Sequence, residues 1–405
     1  MTKRNILTSI DVGTTKICTT VADVSNGGDI RVIGVGLTPS RGLHKGLVVN
    51  INEAKESIRE SVKKAEQSGD CKVESAYVGV TGRHVDSLNN TGVVAITRND
   101  RLVKRDDLKR VLQSAQSIKV PSDRKLLHVI PRGYTIDGQV GVKNPVGMHG
   151  FRLDVETHVI TAAVTSVQNL VKCIRGIGID IDDLILEPLA SSEAVLTGDE
   201  KQVGVILADI GGGTTDVAVF KDGSIWHTSI LPVAGYQLTR DISVGLGLPC
   251  DVAEEMKKRY GSVMPIPESK AETNATISAD GHGVSYQDMC DILRARVEEI
   301  IRLILLEMPN AGYETLVPAG IVFTGGSSNL AGLETLGREI LQLPVRVGVP
   351  TQMYGIADPL RNPAYATSVG LLLWGAKYEG QNTWRTPKFG GGLRRLVSKM
   401  RNLFR

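Results

Sequence analysis

The stretch Ala208-Asp209-Ile210-Gly211-Gly212-Gly213-Thr214-Thr215-Asp216 decides how this chain is read. A shorter version of it stands about two hundred residues earlier, at Ile10-Asp11-Val12-Gly13-Thr14-Thr15-Lys16. Each is a glycine-rich turn led by an aspartate, between runs suited to strands. Together they predict a duplicated phosphate-binding hairpin. Glycine lets backbone N–H groups approach phosphate oxygens closely, and the threonine hydroxyls add donors. An aspartate facing phosphate directly would be repelled. Asp11 and Asp209 are therefore expected to hold the water shell of a divalent metal that neutralises the phosphates. The pattern points to a nucleotide clamped between two similar halves.

A chain of 405 residues is expected to form two or more domains. With 41% hydrophobic and 22% charged residues it has the composition of a soluble globular protein, and 44 glycines against 4% aromatics suit an α/β protein with many tight turns. The five cysteines, Cys18, Cys71, Cys173, Cys250 and Cys290, show no metal-ligand spacing and read as reduced thiols of a cytosolic protein. Neither a signal peptide nor an apolar run long enough for a spanning helix is expected. The net charge of +3 conceals an asymmetry: after Glu379 the only charges are Arg385, Lys388, Arg394, Arg395, Lys399, Arg401 and Arg405, so the body is mildly acidic and the tail basic.

Periodicity and turn signals predict strands at 6–11, 15–23 and 30–38, a helix from Asn52 (its cap) to Gly69 (its stop), and a strand at 76–81. The same order returns with strands at 203–209, 214–220 and 224–231, then helices, then a strand at 320–324, which fits two related α/β halves. Two stretches interrupt it. Residues 84–162 read as an inserted α+β subdomain with strands at 91–97, 127–136 and 157–163 and a helix at 105–117. Residues 232–305 carry helices at 235–246, 250–260 and 286–308 around an irregular polar segment, 262–283. Residues 380–392 read as a flexible linker. Beyond it, Leu393, Leu396, Val397, Met400, Leu403 and Phe404 fall on one helical face, with Arg394, Arg395, Lys399 and Arg401 opposite. Thirteen residues are too few to span a bilayer but match a helix lying in the interface of an anionic phospholipid membrane. The regular apolar face argues against a nucleic-acid arm, which needs no leucine stripe.

Two further features join the turns. Gly325-Gly326-Ser327 follows a strand and would let backbone lie against an adenine face. Glu254 and Lys257, at i and i+3 on the 250–260 helix beside Lys258, offer an acceptor for ribose hydroxyls next to a cation.

In this order the motifs resemble the actin superfamily, which includes actin, heat-shock chaperones, sugar kinases and MreB. Connecting helices near Glu187-Pro188-Leu189-Ala190 and at 366–375 fall where that superfamily has them. Within it the chain most resembles the FtsA family, on three grounds. The insert lies at 84–162; Leu127-His128-Val129-Ile130-Pro131 and Lys143-Asn144-Pro145-Val146-Gly147-Met148 look like a signature of that family; and the chain has an amphipathic C-terminus.

The resemblance implies an actin-like (ribonuclease H-like) duplicated ATPase fold, α/β, with two lobes around a nucleotide cleft and the insert replacing one actin subdomain. The implied division is an N-terminal lobe (1–83, 163–199, 366–379), the insert (84–162), a C-terminal lobe (200–231, 306–365), a nucleotide-covering subdomain (232–305), a linker (380–392) and a membrane-targeting helix (393–405). It implies ATP with Mg²⁺, bound by Asp11, Gly13, Thr14, Thr15, Lys16, Gly211, Gly212, Gly213, Thr214, Thr215, Gly235, Glu254, Lys257, Lys258, Gly325, Gly326 and Ser327. Asp11 and Asp209 would order the metal's water, and Asp209 or Glu187 could orient an attacking water in a reaction that is slow at most. The implied partners are the FtsZ C-terminal peptide, met by basic side chains of 232–305 (Arg240, Lys257, Lys258, Arg259, Arg294, Arg296, Arg302), further copies of the chain in filaments, later division proteins and the membrane. The implied place is the cytoplasmic face of the inner membrane at the septum. The alternatives are a sugar kinase or chaperone of the same fold and a PilM-like pilus-assembly adaptor. The chain shows no peptide-binding domain after the motifs, and its basic amphipathic terminus separates it from PilM.

Overall fold

The computed structural model describes residues 5–25, 29–264, 276–308 and 316–378. The chain begins with β1 (Ile6–Val12), β2 (Lys16–Val24) and β3 (Ile30–Pro39), then a short hairpin of β4 (Leu43–His44) and β5 (Leu47–Val48), α1 (Ile51–Gly69) and β6 (Ser75–Val80). The insert follows as β7 (Val85–Ala95), α2 (Arg105–Gln116), β8 (Arg124–Ile136), β9 (Gln139–Val142) and β10 (Arg152–Ala163). The first unit resumes with α3 (Val164–Arg175), β11 (Asp180–Leu186) and α4 (Glu187–Val195). The second half comprises α5 (Gly198–Val203), β12 (Val205–Ile210), β13 (Thr215–Lys221), β14 (Ser224–Leu231), α6 (Gly235–Leu246), α7 (Cys250–Tyr260), β15 (Thr276–Ala279), β16 (His282–Ser285), α8 (Tyr286–Leu306), β17 (Ile321–Thr324), α9 (Leu333–Leu341) and β18 (Val345–Val347). Strand β19 (Tyr354–Gly355) and α10 (Ala366–Lys377) complete the described chain.

The duplication is one of topology. The first sheet runs β11-β6-β1-β2-β3-β19 and the second β14-β13-β12-β17-β18. In each, three consecutive antiparallel strands lead into two parallel ones on the far side of the first. β1 and β12 are central and buried along nearly their whole length, as expected where helices cover both faces. Helices α4 and α10 pack together between the sheets, and a Cβ at Gly370 would stand 1.9 Å from Ala190 O, so only glycine permits this crossing. One core cluster joins residues of both sheets, from Ile10 and Val78 to Leu207 and Val322, while the insert keeps a small core of its own around Val111, Leu153 and Val155.

Several expected boundaries shift. The cap of α1 is Asn50, not Asn52: its side chain accepts the N–H groups of Asn52 and Glu53. The helix stops at Asp70, left-handed at φ 44°, one residue after Gly69. The insert has a strand more than expected, β9, reached through an Asp137-Gly138 turn with φ of 48° and 91°. The segment expected to be irregular at 262–283 contributes β15 and half of a hairpin with β16. No helix among the described residues is long and apolar enough to cross a membrane. The linker 380–392 and the amphipathic residues Leu393, Arg394, Arg395, Leu396, Val397, Lys399, Met400, Arg401, Leu403 and Phe404 lie outside the described residues.

Candidate functional site

The two glycine turns face each other. A Cβ on Gly212 would stand 2.4 Å from Thr15 Cγ2, and one on Gly213 would stand 2.5 Å from Thr14 Oγ1. The turn after β12 is closed by Gly211 N donating to Thr214 O at 2.9 Å. Around it gather the other expected glycines. Gly235 N donates to Gly211 O at 3.1 Å, and Ser327 Oγ donates to the same oxygen at 2.9 Å. Gly325 has φ 86°, and a Cβ there would lie 2.4 Å from Asp209 Oδ1, so this position requires glycine twice over. Gly326 is freer, its hypothetical Cβ meeting only Ala364 Cβ at 3.8 Å. On the other side a Cβ at Gly13 would press on Lys16 O at 2.8 Å. The hydroxyls differ in use: Thr14 Oγ1 accepts Gly46 N at 3.1 Å, whereas Thr215 Oγ1 donates to Val233 O at 2.7 Å and braces its own hairpin.

Four buried carboxylates lie beneath these turns. Asp11 Oδ2 accepts from Ser368 Oγ at 2.7 Å, and Asp209 Oδ2 from Ser191 Oγ at 2.5 Å and Thr367 Oγ1 at 3.1 Å. Burial raises the pKa of both, partly offset for Asp11 by Lys16 and the Ser368 hydroxyl, and for Asp209 by Ser191. Asp216, at the end of the quoted motif, was not among the expected site residues. Burial, reinforced by Asp209, pushes its pKa up to about 8 although Thr81 Oγ1 donates to it at 2.7 and 2.8 Å. Glu187 begins α4. Burial and then the charges of Asp11, Asp216 and Asp209 hold its carboxyl well above the usual range, and its Oε1 is buried with no hydrogen-bond partner.

Such a cluster calls for a cation. Lys16 donates to Ala364 O and lies 4.1 Å above the Tyr365 ring. Among the described residues no three His, Cys, Asp or Glu side chains can hold a metal ion directly. The donor set fits a hydrated ion carried on a ligand, with the glycine turns on one side and the carboxyl groups on the other.

The residues expected around the ribose are partly committed elsewhere. Glu254 Oε2 accepts from Lys257 Nζ at 2.6 Å and from Thr239 Oγ1, and Lys257 Nζ also donates to Gly235 O at 3.1 Å. This pair does reach the cleft glycine. Lys258 is 71% exposed and pairs with Glu254 at 3.1 Å. Among the basic side chains expected for a peptide, Arg294 is paired with Glu298 and Glu339, and Arg296 with Asp241 and Glu299. Their charges are neutralised within the fold. The missed residues Thr81, Ser191, Thr367 and Ser368 carry no local signal; only the Asp216 carboxylate could have been read from its place in the motif.

A family model described as Cell division protein FtsA matches residues 206–370, and one described as SHS2 domain inserted in FTSA matches residues 82–161. The Cell division protein FtsA of Pseudomonas aeruginosa is 44% identical over 373 residues, covering 91% of this chain and 89% of its own length. That of Escherichia coli K12 is 34% identical over 418 residues, covering 100% and 99%. Among solved structures, a PilM–PilN type IV pilus biogenesis complex aligns at TM-score 0.66 and 17% identity over 92% of this chain and 99% of its own. MreB 5 of Spiroplasma citri bound to AMPPNP aligns at TM-score 0.53 and 14% identity over 98% and 99%. At such identities the structures share the fold alone, which is actin-like, whereas the sequence relatives establish kinship. The chain belongs to the FtsA family of cell division proteins.

Proposed function

We propose that the chain binds ATP with Mg²⁺ between its lobes and, in that state, anchors FtsZ filaments to the cytoplasmic face of the inner membrane through residues 393–405. The observation that carries the nucleotide half is the face-to-face apposition of the Gly13–Lys16 and Gly211–Thr215 turns over four buried carboxylates. The backbone N–H groups of both turns and the Thr14 hydroxyl would hold phosphates, with Lys16 beside them. Gly235, Glu254 and Lys257 would take the ribose, and Gly325 to Ser327 the base. Bound Mg²⁺ would neutralise phosphate charge, and Asp11 and Asp209 would accept hydrogen bonds from its waters. Glu187, with one oxygen unpartnered, would accept a proton from water near the phosphates.

The adaptor half rests on kinship and on the apolar and basic faces of 393–405. The subdomain 232–305 is the proposed seat of the FtsZ peptide. With Arg294 and Arg296 paired internally and Arg302 lying 3.7 Å from Glu298, Arg240 and Arg259 remain its candidate contacts. Self-assembly and contacts of the insert with later division proteins belong to the same reading.

Calorimetric titration with ATP, with and without Mg²⁺, tests the nucleotide half. Saturable, Mg²⁺-strengthened binding is expected, and it should vanish in Gly325→Ala, whose Cβ would collide with Asp209. Binding that survives this substitution in a folded protein places the ligand elsewhere.

A further inference from the structure

The signature stretch around His128 is unexplained by the nucleotide site, yet it touches both lobes. β8 of the insert runs past the outer edges of the two sheets. In the first sheet that edge is β11, and His128 Nε2 accepts the backbone N–H of Leu186 at 3.1 Å, the residue before Glu187. Leu127 and Ile130 pack on the main core cluster. The His128 ring also meets Trp374 of α10 edge-on, with centroids 5.8 Å apart. In the second sheet the edge is β14. There Ser224 Oγ donates to Pro131 O at 3.4 Å, and the Arg132 guanidinium lies 4.1 Å above the Trp226 ring. Five consecutive residues, 128–132, thus bridge the lobes on the side of the sheets away from β3 and β18.

The β14 side continues as a chain of polar contacts. Asn89 Nδ2 donates to Trp226 O at 3.2 Å, and Asn89 Oδ1 lies 2.7 Å from His158 Nδ1. His158 Nε2 lies 2.9 Å from Thr228 Oγ1, and Ser87 Oγ donates to Thr228 O at 2.9 Å. Burial, with His227 and Arg132 adding to it, lowers the pKa of His158 to about 3, so the ring is neutral. One pattern then satisfies every group: Nδ1–H donates to Asn89, and Nε2 accepts from Thr228. The seam runs from exposed Asn89 to buried His158 and Thr228, and its buried end is specific in register and costly to leave half-made.

We propose that the inserted sheet is a clasp between the outer edges of the two lobes, holding them in the arrangement that brings the phosphate turns together. The lobes meet at the crossing of α4 and α10 and again across the cleft. A connection on the outer edges fixes their relative rotation, which neither of those contacts alone sets. Opening of the cleft must shear the β14 seam, the β11 seam or both. Whatever ligand closes the cleft therefore stabilises the clasp, and whatever binds the insert biases the cleft by the same factor. The inference rests on the nucleotide reading for the identity of that ligand, and on the geometry alone for the mechanical link.

The test uses the full chain, with Ser87→Ala and Thr228→Val combined. Both side chains are remote from the turns, and the second substitution keeps the shape while removing the hydroxyl at His158. Hydrogen exchange is followed by mass spectrometry without nucleotide. We expect roughly ten-fold faster exchange in peptides covering 10–16 and 208–216, as well as at the seam. A variant with parent-like circular dichroism in which only the seam peptides change overturns the clasp. A Ser87→Cys, Thr228→Cys cross-link makes the opposite perturbation, and it should slow exchange in the same turns; no change there also overturns it. Mg–ATP affinity is measured in parallel, and the Ser87, Thr228 variant should bind several-fold more weakly. Failure of the parent to bind Mg–ATP overturns the nucleotide reading, and the ligand-free exchange still decides the clasp.

Discussion

Gly212→Ala probes the apposition of the two turns with a single carbon. The added Cβ would lie 2.4 Å from Thr15 Cγ2 and 3.0 Å from its Oγ1. Ordinary carbon contacts sit near 3.5 Å, so the turns must separate by about 1 Å. The backbone of Gly212 is not left-handed, so the substitution adds no dihedral strain, and the steric term stands alone. Overpacking of this size costs roughly 1–3 kcal/mol, or about five- to 150-fold in affinity if the closed cleft is what binds Mg–ATP. Calorimetry on the parent, Gly212→Ala, Thr15→Ala and the double variant isolates the contact. Thr15→Ala removes the two atoms nearest the new carbon and leaves only Thr15 Cβ at 3.3 Å, so the double variant should bind more tightly than the sum of the single losses allows. Parent-like affinity in Gly212→Ala would refute the apposition, as would strictly additive losses in the double variant.

Three further outcomes follow from the same geometry. Gly325→Ala should abolish Mg–ATP binding while Gly326→Ala leaves it nearly intact, because only the former has a left-handed φ and a carboxylate in the way; equal losses would contradict the assigned roles. Met400→Glu with Phe404→Glu should release the protein from anionic liposomes with ATP affinity unchanged, and continued pelleting would exclude the tail as the anchor. His158 has a folded pKa depressed to about 3, so its contribution to stability is complete above its unfolded value near 6.5 and is lost as pH falls towards 3. Between pH 6.5 and 5 the loss is about 2 kcal/mol, which a His158→Asn variant does not suffer; the gap between their melting temperatures should narrow over that interval, and a constant gap would show that His158 is not buried neutral.

The turns, the duplicated strand order and the bounds of α6 and α7 were legible because each is written in local signals: glycine clusters, alternation, and a glycine at 247 after a helical run. The kinship of the two halves followed from recognising one unit twice. Failures were of two kinds. Short elements escaped where few residues carry the pattern. β9 spans only four residues, although the Asp137-Gly138 turn before it is a strong hairpin signal. Asn50 was passed over as a cap because Asn52 offered the same chemistry two residues on. Long-range pairings escaped altogether. Ser368 lies 357 residues from the Asp11 it bonds, and Thr81 lies 135 from Asp216; no periodicity encodes such a meeting. For the same reason Arg294 and Arg296 read as free cations until Glu339 and Asp241 were seen beside them.

The outer edges of the two lobes share one means of protection. An exposed edge strand is a template for unwanted pairing. Here β11 and β14 are both covered by the same inserted sheet, so one element both guards the edges and ties the halves. The position of the insert in the chain, between β6 and α3, allows this because its two connections, entering at Val85 and leaving at Ala163, lie beside each other. Ala163 N donates to His84 O at 3.1 Å, and Arg124 Nη2 reaches the same carbonyl at 3.3 Å.

The most direct test of the proposed adaptor role is co-sedimentation of FtsZ with anionic liposomes in the presence of Mg–ATP, comparing the full chain with one ending at Gly390. The account predicts that FtsZ pellets with the full chain and stays in solution with the shortened one. FtsZ left in the supernatant while the full chain itself pellets would contradict the partner, and FtsZ pelleting equally with both would contradict the tail as the tether.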